Sequence, residues 1–326
     1  MNRIVLNYLV IIFFVMLAAF TSCKKDEYKD RDVYVAGSNG NFATVWKNGV
    51  VQNLTDGTRR ATANSIYVSG SDVYVAGYEK NEQGIYTAIL WKNGVAQNLT
   101  DGCSEALAFS VYVSGNDAYV AGYERNIHGT AIAKLWKNGV AQNLTDGTNV
   151  SVSALSVFVS NNDVYVAGAI GRKAVLWKND QTQYLTDGKS FAGLSSVYVS
   201  GNDVYAVGYE ESEEGKSVAK LWKNGVSQSL TNVSNHTQTS SVYVVNNNVY
   251  IAVDEWDASC RHSATIWKNG KIENLSGENP YPRSIFVIGK DVYVAGEIGH
   301  RAVLWKNSKV QNIAVVYANS VFVVKK

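Results

Sequence analysis

The fold is decided by the stretch Ser110-Val-Tyr-Val-Ser-Gly-Asn-Asp-Ala-Tyr-Val-Ala-Gly122, which is followed by Leu135-Trp-Lys-Asn-Gly-Val-Ala-Gln-Asn-Leu-Thr-Asp-Gly147. Variants of this unit occur seven times between Asp32 and the C-terminus of the 326-residue chain. Each copy carries one tryptophan, and the seven are Trp46, Trp91, Trp136, Trp177, Trp222, Trp267 and Trp305. Their spacings are 45, 45, 41, 45, 45 and 38 residues. A period near forty in β-rich units indicates an array of similar β-sheets.

Each unit contains four short runs that are rich in Val, Tyr, Ile and Trp and are bounded by turn residues. In the copy quoted above they predict strands a (110–114), b (117–123), c (131–137) and d (140–145). Gly115-Asn116 separates a from b, and Asn138-Gly139 separates c from d. Both dipeptides tolerate the positive φ angles of two-residue hairpins. The a–b and c–d connections are therefore predicted to be minimal turns.

Apolar residues occupy both faces of the predicted strands, as in Leu90 and Trp91, so each sheet is expected to pack between two others. The chain opens with a strand of type b and closes with a strand of type a, 320–324. Pairing of 320–324 with 32–36 would complete the first sheet and remove its exposed edge. The sequence therefore predicts an all-β fold, a seven-bladed β-propeller with four antiparallel strands per blade, in one domain over residues 32–326.

The repeats resemble those of β-propeller proteins over about nine-tenths of the chain. Kelch repeats would carry a Gly-Gly pair, and tryptophan–aspartate repeats would end in Trp-Asp. Here lysine follows the repeat tryptophan in every copy. The resemblance thus implies the fold, while the ligands of those two families are not carried over.

The N-terminus has the layout of a secretory signal, because residues 1–22 hold a basic residue, an apolar run and a small-residue end. Phe20-Thr-Ser-Cys23 resembles the lipobox of bacterial lipoproteins, which implies acylation (palmitate) at Cys23; Phe20 departs from the usual Leu. Lys25-Asp26-Glu27 resembles the surface-export signal of lipoproteins from one Gram-negative phylum. We therefore expect a lipid-anchored outer-membrane protein at the cell surface, with 23–31 as lipidated, charged tether. An uncleaved signal anchor is the alternative.

The charge balance and the few cysteines and histidines limit the function classes. A formal net charge of +2 argues against a nucleic-acid partner. Cys103 and Cys260 fall in different blades, so we expect no disulfide. The four histidines lack the spacing of a zinc site, and Cys260-Arg-His262 near Asp254 is only a loose cluster. We expect a monomer without cofactor or metal, which contacts a membrane through its lipid anchor alone.

Two repeated features are expected to serve the fold. A lysine lies beside each c–d turn, and an aspartate starts most b strands, so Asp72–Lys92 and Asp117–Lys137 should be cross-strand pairs rather than parts of a cationic ring. The repeat tryptophans lie in the middle of strand c. They are expected to pack between blades and not to stack on sugars.

The connections between strands b and c differ among the copies and predict the ligand-binding face. The repeat tryptophan lies 14 positions after the end of strand b in blades 2, 3, 5 and 6, and 9 positions after it in blades 1, 4 and 7. The long loops would form two walls beside a trough, since blade 4 lies opposite the seam of the ring. The predicted floor is basic and the walls are acidic and aromatic. The predicted binding residues are Arg172, Lys173, His300 and Arg301 on the floor, and Tyr78, Tyr123, Tyr209 and Trp256 on the walls.

The sequence selects no catalytic residue. Glu79, Glu210 and Glu255 on the walls are possible glycosidase carboxylates, yet no pair of them specifies a reaction. Repeats that are this alike favour binding over catalysis. The expected function is therefore a surface-anchored lipoprotein that binds a glycan or protein ligand through its loop-rich face. The alternatives are a polysaccharide-acting hydrolase or lyase, and an outer-membrane assembly scaffold.

Overall fold

The computed structural model describes residues 30–148, 151–232, 234–313, 315 and 317–326. The predicted signal peptide, the lipidation site Cys23 and nearly all of the tether lie outside these ranges. Across the described ranges, no helix has the length and apolarity needed to span a bilayer. The described chain folds into seven four-stranded antiparallel sheets.

Every repeat contributes four strands, and the first two of them are the longest. In chain order the strands are β1 (Arg31–Asn39), β2 (Phe42–Lys47), β3 (Val50–Asn53), β4 (Ala61–Ser69), β5 (Asp72–Lys80), β6 (Tyr86–Lys92), β7 (Val95–Asn98), β8 (Ala106–Ser114), β9 (Asp117–Arg125), β10 (Ala131–Lys137), β11 (Val140–Asn143), β12 (Val152–Ser160), β13 (Asp163–Ile170), β14 (Lys173–Lys178), β15 (Gln181–Tyr184), β16 (Ala192–Ser200), β17 (Asp203–Glu211), β18 (Ser217–Lys223), β19 (Val226–Ser229), β20 (His236–Val245), β21 (Asn248–Trp256), β22 (His262–Lys268), β23 (Lys271–Asn274), β24 (Pro280–Ile288), β25 (Asp291–Ile298), β26 (Arg301–Lys306), β27 (Lys309–Asn312) and β28 (Tyr317–Lys325).

Each sheet is one blade whose strands run outward from a central axis in the order a, b, c, d. Blades 2 to 7 each take four consecutive strands, beginning at β4, while blade 1 has the order β28, β1, β2, β3. The innermost strands of neighbouring blades contact one another all the way round, from β4 through β24 to β28 and back to β4. The predicted seven-bladed propeller is therefore confirmed.

The C-terminal strand closes the ring as predicted. In the register of β1 with β28, Asp32 lies opposite Val324, and Ala36 lies opposite Ser320. Val321 and Val323 are 3% and 2% exposed and pack in the core with Val33. The two ends of the chain thus form one blade, which leaves no unpaired edge at the seam.

Strand a begins about four residues earlier than the sequence predicts, because a β-bulge precedes the repeated motif. In blade 3 the register shifts between Ala108 and Ser110, so that β8 reaches back to Ala106. The bulge brings the carbonyl of Leu107 against strand b at Gly122, where an added Cβ would lie 2.0 Å from that oxygen. This contact explains the glycine that ends the motif. Blade 6 has Val253 at this position.

The repeat tryptophans form the core between blades, as predicted. Trp136 of blade 3 is completely buried and packs with Tyr74 and Leu90 of blade 2 and with Val111 of its own blade. A large ring at the blade interface excludes water from both sheets, so it contributes to the stability of two neighbouring repeats.

In every blade except blade 6, the lysine beside the c–d turn is paired with the aspartate of strand b, and the two predicted pairs are among them. Lys92 Nζ lies 2.8 Å from Asp72 Oδ2, and Lys137 Nζ lies 2.7 Å from Asp117 Oδ2. The direct strand partner of Lys137 is Tyr119, so the ion pair is diagonal. Hydrogen bonding to the lysine is the largest cause that lowers the pKa of Asp72 and of Asp117.

Serine hydroxyls and an aromatic collar join the innermost strands around the axis. The backbone N–H of Val111 donates to Ser65 Oγ of the preceding blade at 3.1 Å, and Val321 donates to Ser284 Oγ at 3.2 Å. Two residues after each serine, a ring contacts the next ring at centroid distances of 4.6 to 5.0 Å. These rings are Tyr67, Tyr112, Phe158, Tyr198, Tyr243, Phe286 and Phe322. The collar lies near the end of strand a, next to the a–b turns.

Candidate functional site

The two faces of the propeller differ in how much the blades vary. The short-turn face carries the a–b and c–d turns, and the hairpin face carries the b–c hairpins and the d–a connections. On the hairpin face, two residues join strands b and c in blades 1, 4 and 7, whereas five residues join them in blades 2, 3, 5 and 6. The long hairpins share one turn geometry, in which Asn81 Oδ1 of blade 2 accepts the N–H groups of Gln83 and Ile85. They are therefore hairpins of equal length and similar turn structure.

The predicted floor residues lie on two separate hairpins. In blade 4, the Arg172 guanidinium lies 4.2 Å from the ring centroid of Phe191, and Lys173 Nζ lies 4.7 Å from that of Tyr184. In blade 7, His300 and Arg301 are exposed at the hairpin tip. Among the described residues, no hydrogen bond, ion pair or ring contact joins the two pairs. The structure thus places both pairs on the predicted face without bringing them together.

The predicted wall tyrosines are half-buried in local contacts. Tyr78 packs edge-on against Tyr86 with ring centroids 5.1 Å apart. The hydroxyl of Tyr123 donates to Glu105 Oε1 at 2.7 Å, and the ring of Tyr209 lies beside Gly193. These tyrosines line the hairpin face but already have partners within the protein.

The acidic character of the walls is reduced by lysines of strand c. Lys134 Nζ lies 2.8 Å from Glu124 Oε2, and Lys220 Nζ lies 3.3 Å from Glu210 Oε2. Both lysines have mostly buried side chains, 11% and 19% exposed. The carboxylates of Glu124 and Glu210 are therefore engaged in ion pairs, while Glu213 and Glu214 are exposed at the tip of the blade 5 hairpin.

Trp256 belongs to a compact group at blade 6 that differs from every other blade. Its indole ring stacks on His236 with centroids 5.4 Å apart and an interplanar angle of 11°. On its own hairpin the ring of His262 lies 6.1 Å away. The indole of Trp256 thus contacts both imidazole rings and is partly exposed.

A buried carboxylate orients His262. Asp254 is 0% exposed, and its Oδ1 and Oδ2 atoms lie 3.0 and 3.2 Å from His262 Nδ1. Burial raises the pKa of Asp254, and the hydrogen bond with His262 opposes that shift. When Asp254 is ionised, Nδ1 must carry the proton of this bond, which leaves Nε2 as the proton acceptor. An imidazole held in this way is suited to accept a hydrogen bond or a proton from a ligand.

Blade 7 completes the group with Tyr281 and Arg283. The ring of Tyr281 lies 5.7 Å from that of His262, and Gln238 Nε2 donates to the Tyr281 hydroxyl at 3.2 Å. Arg283 stacks on Tyr281 at 4.9 Å and its Nε atom lies 2.8 Å from Glu297 Oε1, which is buried. The blade 6–7 cluster consists of His236, Gln238, Asp254, Trp256, His262, Tyr281, Arg283 and Glu297.

Sequence reasoning found Trp256 and the loose grouping of His262 with Asp254, but it missed the blade 7 members. The missed signal was a departure from the repeat. Asp254 stands where blades 2, 3 and 5 have tyrosine, and Tyr281 and Arg283 stand in the bulged first half of strand a, where other blades carry mostly small or uncharged residues. Cys260 is exposed and free, as is Cys103. Within the described ranges, no group of three His, Cys, Asp or Glu side chains has metal-binding geometry.

Grooves between blades on the short-turn face belong to the repeat architecture. One of about 610 Å³ lies between blades 1 and 2 and is lined by Tyr34, Lys47 and Asn93. The corresponding residues Tyr165, Lys178 and Asn224 line a smaller groove of about 230 Å³ between blades 4 and 5. A groove that recurs with the repeat is a product of blade packing, so we place the candidate site at the blade 6–7 cluster.

Comparisons with known proteins support the fold alone. No family model and no curated protein matches the chain. The β-propeller domain of the Trilobed protease from Pyrococcus furiosus, which has an open velcro topology, matches with a TM-score of 0.52 at 12% identity, covering 88% of this chain and 93% of that domain. A puromycin-hydrolyzing peptidase from Mycobacterium tuberculosis (TM-score 0.52, 12% identity, 80% of this chain) and a prolyl endopeptidase (0.51, 11%, 91%) also match. This chain spans 47% and 50% of those two peptidases. The likeness shows that the chain is a β-propeller.

Proposed function

We propose that this protein is a surface-anchored lipoprotein that binds a glycan through the hairpin face, with the blade 6–7 cluster at the centre of its site. The observation that carries the proposal is the set of hydrogen-bonding side chains at the partly open junction between blades 6 and 7. His262, Tyr281 and Gln238 offer donors and acceptors beside the aromatic ring of Trp256. Mixed polar groups beside aromatic surface are the usual means of holding a polyhydroxylated ligand.

The charge of the cluster favours a ligand that is recognised mainly through hydroxyl groups. The Arg283 guanidinium is paired with buried Glu297, and the imidazole of His262 is paired with buried Asp254. The Arg283–Glu297 pair is neutral overall, and any charge on Asp254 lies on a side chain that has no exposed surface. The exposed His300 and Arg301 lie on the blade 7 hairpin, where they would add contacts to an extended chain.

A glycan array tests the binding proposal with a matched pair of variants. His262→Gln removes the oriented imidazole from the first residue of β22, and Ala131→Gln places the same side chain at the first residue of β10 in blade 3. We expect the wild-type protein and Ala131→Gln to retain the same glycans, and His262→Gln to lose them. Equal binding by both variants would place the site elsewhere, and an array without any retained glycan would contradict the proposal.

The lipid anchor is tested separately, because the proposal for it stands on the sequence. Metabolic labelling with a palmitate analogue should mark the wild-type protein in the outer-membrane fraction. Replacing Cys23 with Ser should abolish both the label and the membrane association. A labelled Cys23→Ser protein would show that the chain is anchored in another way.

A glycan-cleaving enzyme is the second candidate, and the Asp254–His262 pair is the observation that favours it. A buried carboxylate that holds an imidazole with Nε2 free is a common form of general base. An enzyme would release products from the glycans that it binds, and Asp254→Asn would stop that release while most binding persists. Binding without any product from the wild-type protein would exclude this candidate.

A further inference from the structure

The short-turn face carries a group of surplus lysines on three consecutive blades. Lys268 and Lys271 flank the c–d turn of blade 6, Lys290 lies in the a–b turn of blade 7, Lys309 starts β27, and Lys325 ends β28 of blade 1. All five side chains are exposed. None of them forms an ion pair with a described residue. We call this group the lysine arc.

The lysine arc is not a consequence of the repeat. The positions that correspond to Lys271 and Lys309 carry Val95, Val140 and Val226 in blades 2, 3 and 5 and a glutamine in blade 4. In those blades each lysine beside the c–d turn has its own aspartate. In blade 6 the aspartate is replaced by asparagine at position 248, so Lys268 has no carboxylate partner in the described part of the chain. The positive charge is therefore concentrated on blades 6, 7 and 1.

The carboxylates near the arc are already engaged. Asp291 binds Arg31 at 2.5 Å and lies 3.9 Å from Lys306 Nζ. Asp32 pairs with Lys47 and Lys326, while Glu273 accepts the hydroxyl of Ser308. Asp291 and Asp32 neutralise their own partners, whereas Glu273 bonds a neutral hydroxyl and keeps its charge. The five lysines of the arc outnumber that carboxylate, so the patch is net positive.

Exposed aliphatic side chains continue the same face beyond the arc. Val50, Val95 and Val140 start the d strands of blades 1, 2 and 3 and are 69%, 72% and 73% exposed. Single exposed valines are ordinary on a protein surface. Here they recur at one level on three consecutive blades, beside the lysines of blade 1. Basic residues beside exposed aliphatic residues are the composition of surfaces that lie on membranes.

The chain enters the propeller on this same face. β1 begins at Arg31, next to the a–b turn of blade 7, and Asp30 accepts the N–H of Lys326. Arg31 lies eight positions after Cys23, and an extended chain of that length reaches at most about 28 Å. An acylated Cys23 would hold the short-turn face, and not the hairpin face, close to the bilayer.

We propose that the short-turn face docks on a phospholipid bilayer that carries anionic headgroups, with the lysine arc over the headgroups and Val50, Val95 and Val140 in the interface. The hairpin face then points away from the membrane, where a ligand can reach it. This contact is additional to the lipid anchor, and it does not depend on the glycan site.

Vesicle binding by the propeller alone tests the proposal, since residues 30–326 contain every strand of the closed ring. The probes are phosphatidylcholine vesicles with and without phosphatidylglycerol. We expect binding to the anionic vesicles that weakens with salt. Each lysine near such a surface contributes about fivefold in binding, so Lys271→Gln, Lys290→Gln and Lys309→Gln together should reduce the partition coefficient on the order of 100-fold.

The matched control removes three exposed or partly exposed cations from the hairpin face, Arg60, Lys189 and Lys216, also by replacement with Gln. This variant should bind as the wild-type protein does, provided that both variants melt at the wild-type temperature. Equal losses in the two variants would show a non-specific charge effect and overturn the proposal. Absence of binding to the anionic vesicles would overturn it as well.

The native cysteines allow the orientation to be read directly. Cys103 and Cys260 are exposed on the hairpin face, so a polarity-sensitive fluorophore on Cys103, with Cys260 replaced by Ser, should not respond to vesicles. A fluorophore on Val95→Cys, with both native cysteines replaced by Ser, should shift to the blue. A response from Cys103 and none from position 95 would refute the proposed orientation, while the glycan-binding result would be unaffected.

Discussion

The closure of the ring predicts that the seam blade is as stable as an interior blade. Val321 lies in β28 and Val197 lies at the corresponding position of β16, and both side chains are 3% exposed. Each valine side chain packs against the neighbouring blade, because each lies in the core between two blades. Replacement of either valine by alanine therefore perturbs the same environment at two places in the ring.

The expected cost follows from the two methyl groups that each change removes. At about 0.8 kcal/mol for each buried group, the transfer contribution is about 1.6 kcal/mol, and the cavity raises the total to about 2 kcal/mol. The free energy of unfolding of a typical domain is about 5 to 15 kcal/mol, so a loss of this size moves the denaturation midpoint clearly. The cost should be equal for Val321→Ala and Val197→Ala if β28 is locked into blade 1.

Urea denaturation followed by tryptophan fluorescence measures both variants, because the repeat tryptophans are buried between blades. A single transition with equal losses for the two variants supports a closed, cooperative ring. If Val321→Ala costs almost nothing while Val197→Ala costs about 2 kcal/mol, β28 does not contribute to the global stability. The seam would then be open in solution, and the closure argument would be refuted.

Three further predictions concern the two faces. Lys92→Ala on the short-turn face should lower the melting temperature only slightly and leave glycan binding unchanged, since exposed ion pairs stabilise weakly; a large loss of binding would mean that the ligand uses this face. If the ligand carries negative charge, Arg172→Ala with Arg301→Ala should weaken binding and reduce its salt dependence, and titrations at several ionic strengths would detect an unchanged salt slope as the contrary result. Because burial raises the pKa of Asp254, the folded state binds this proton more tightly than the unfolded state, so the free energy of unfolding should fall as pH rises from the ordinary value of 3.8 through the folded pKa. The Asp254→Asn variant should not show that fall. Denaturation curves at a series of pH values measure this, and identical pH profiles for the variant and the wild-type protein would contradict the reasoning.

The blades were predictable from the sequence because one local pattern specifies each of them. The dipeptide Asn138-Gly139 adopts φ angles of 51° and 83°, as a tight two-residue hairpin requires, and an Asn-Gly pair with positive φ angles recurs at the c–d turns of blades 1, 2, 5 and 6. Ring closure was predictable because the repeats open with a strand of type b and close with a strand of type a, so the last strand supplies what the first blade lacks. The early start of strand a was not predictable from the motif, since the residues before the bulge vary from blade to blade.

The candidate site was predictable only in part, because its members come from different repeats. Asp254 and His262 lie eight residues apart on one hairpin, so their contact follows from the b–c pairing. Tyr281 and Arg283 reach them only because blade 7 packs beside blade 6, and a bulge interrupts the strand register at Arg283. The trough of the sequence interpretation stays a prediction; the structure adds a cluster whose residues contact one another.

The pairing of β1 with β28 also sets the order in which the molecule can finish folding. The partners Asp32 and Val324 are separated by nearly the whole chain, so the first blade remains a three-stranded fragment until the last strand arrives. Contacts at such separation form late and slowly. In the meantime the inner edge of β1 is open to strands of other molecules, which is a route to aggregation. During synthesis the N-terminus is made first, so the first blade stays incomplete until the final residues of the chain have been made.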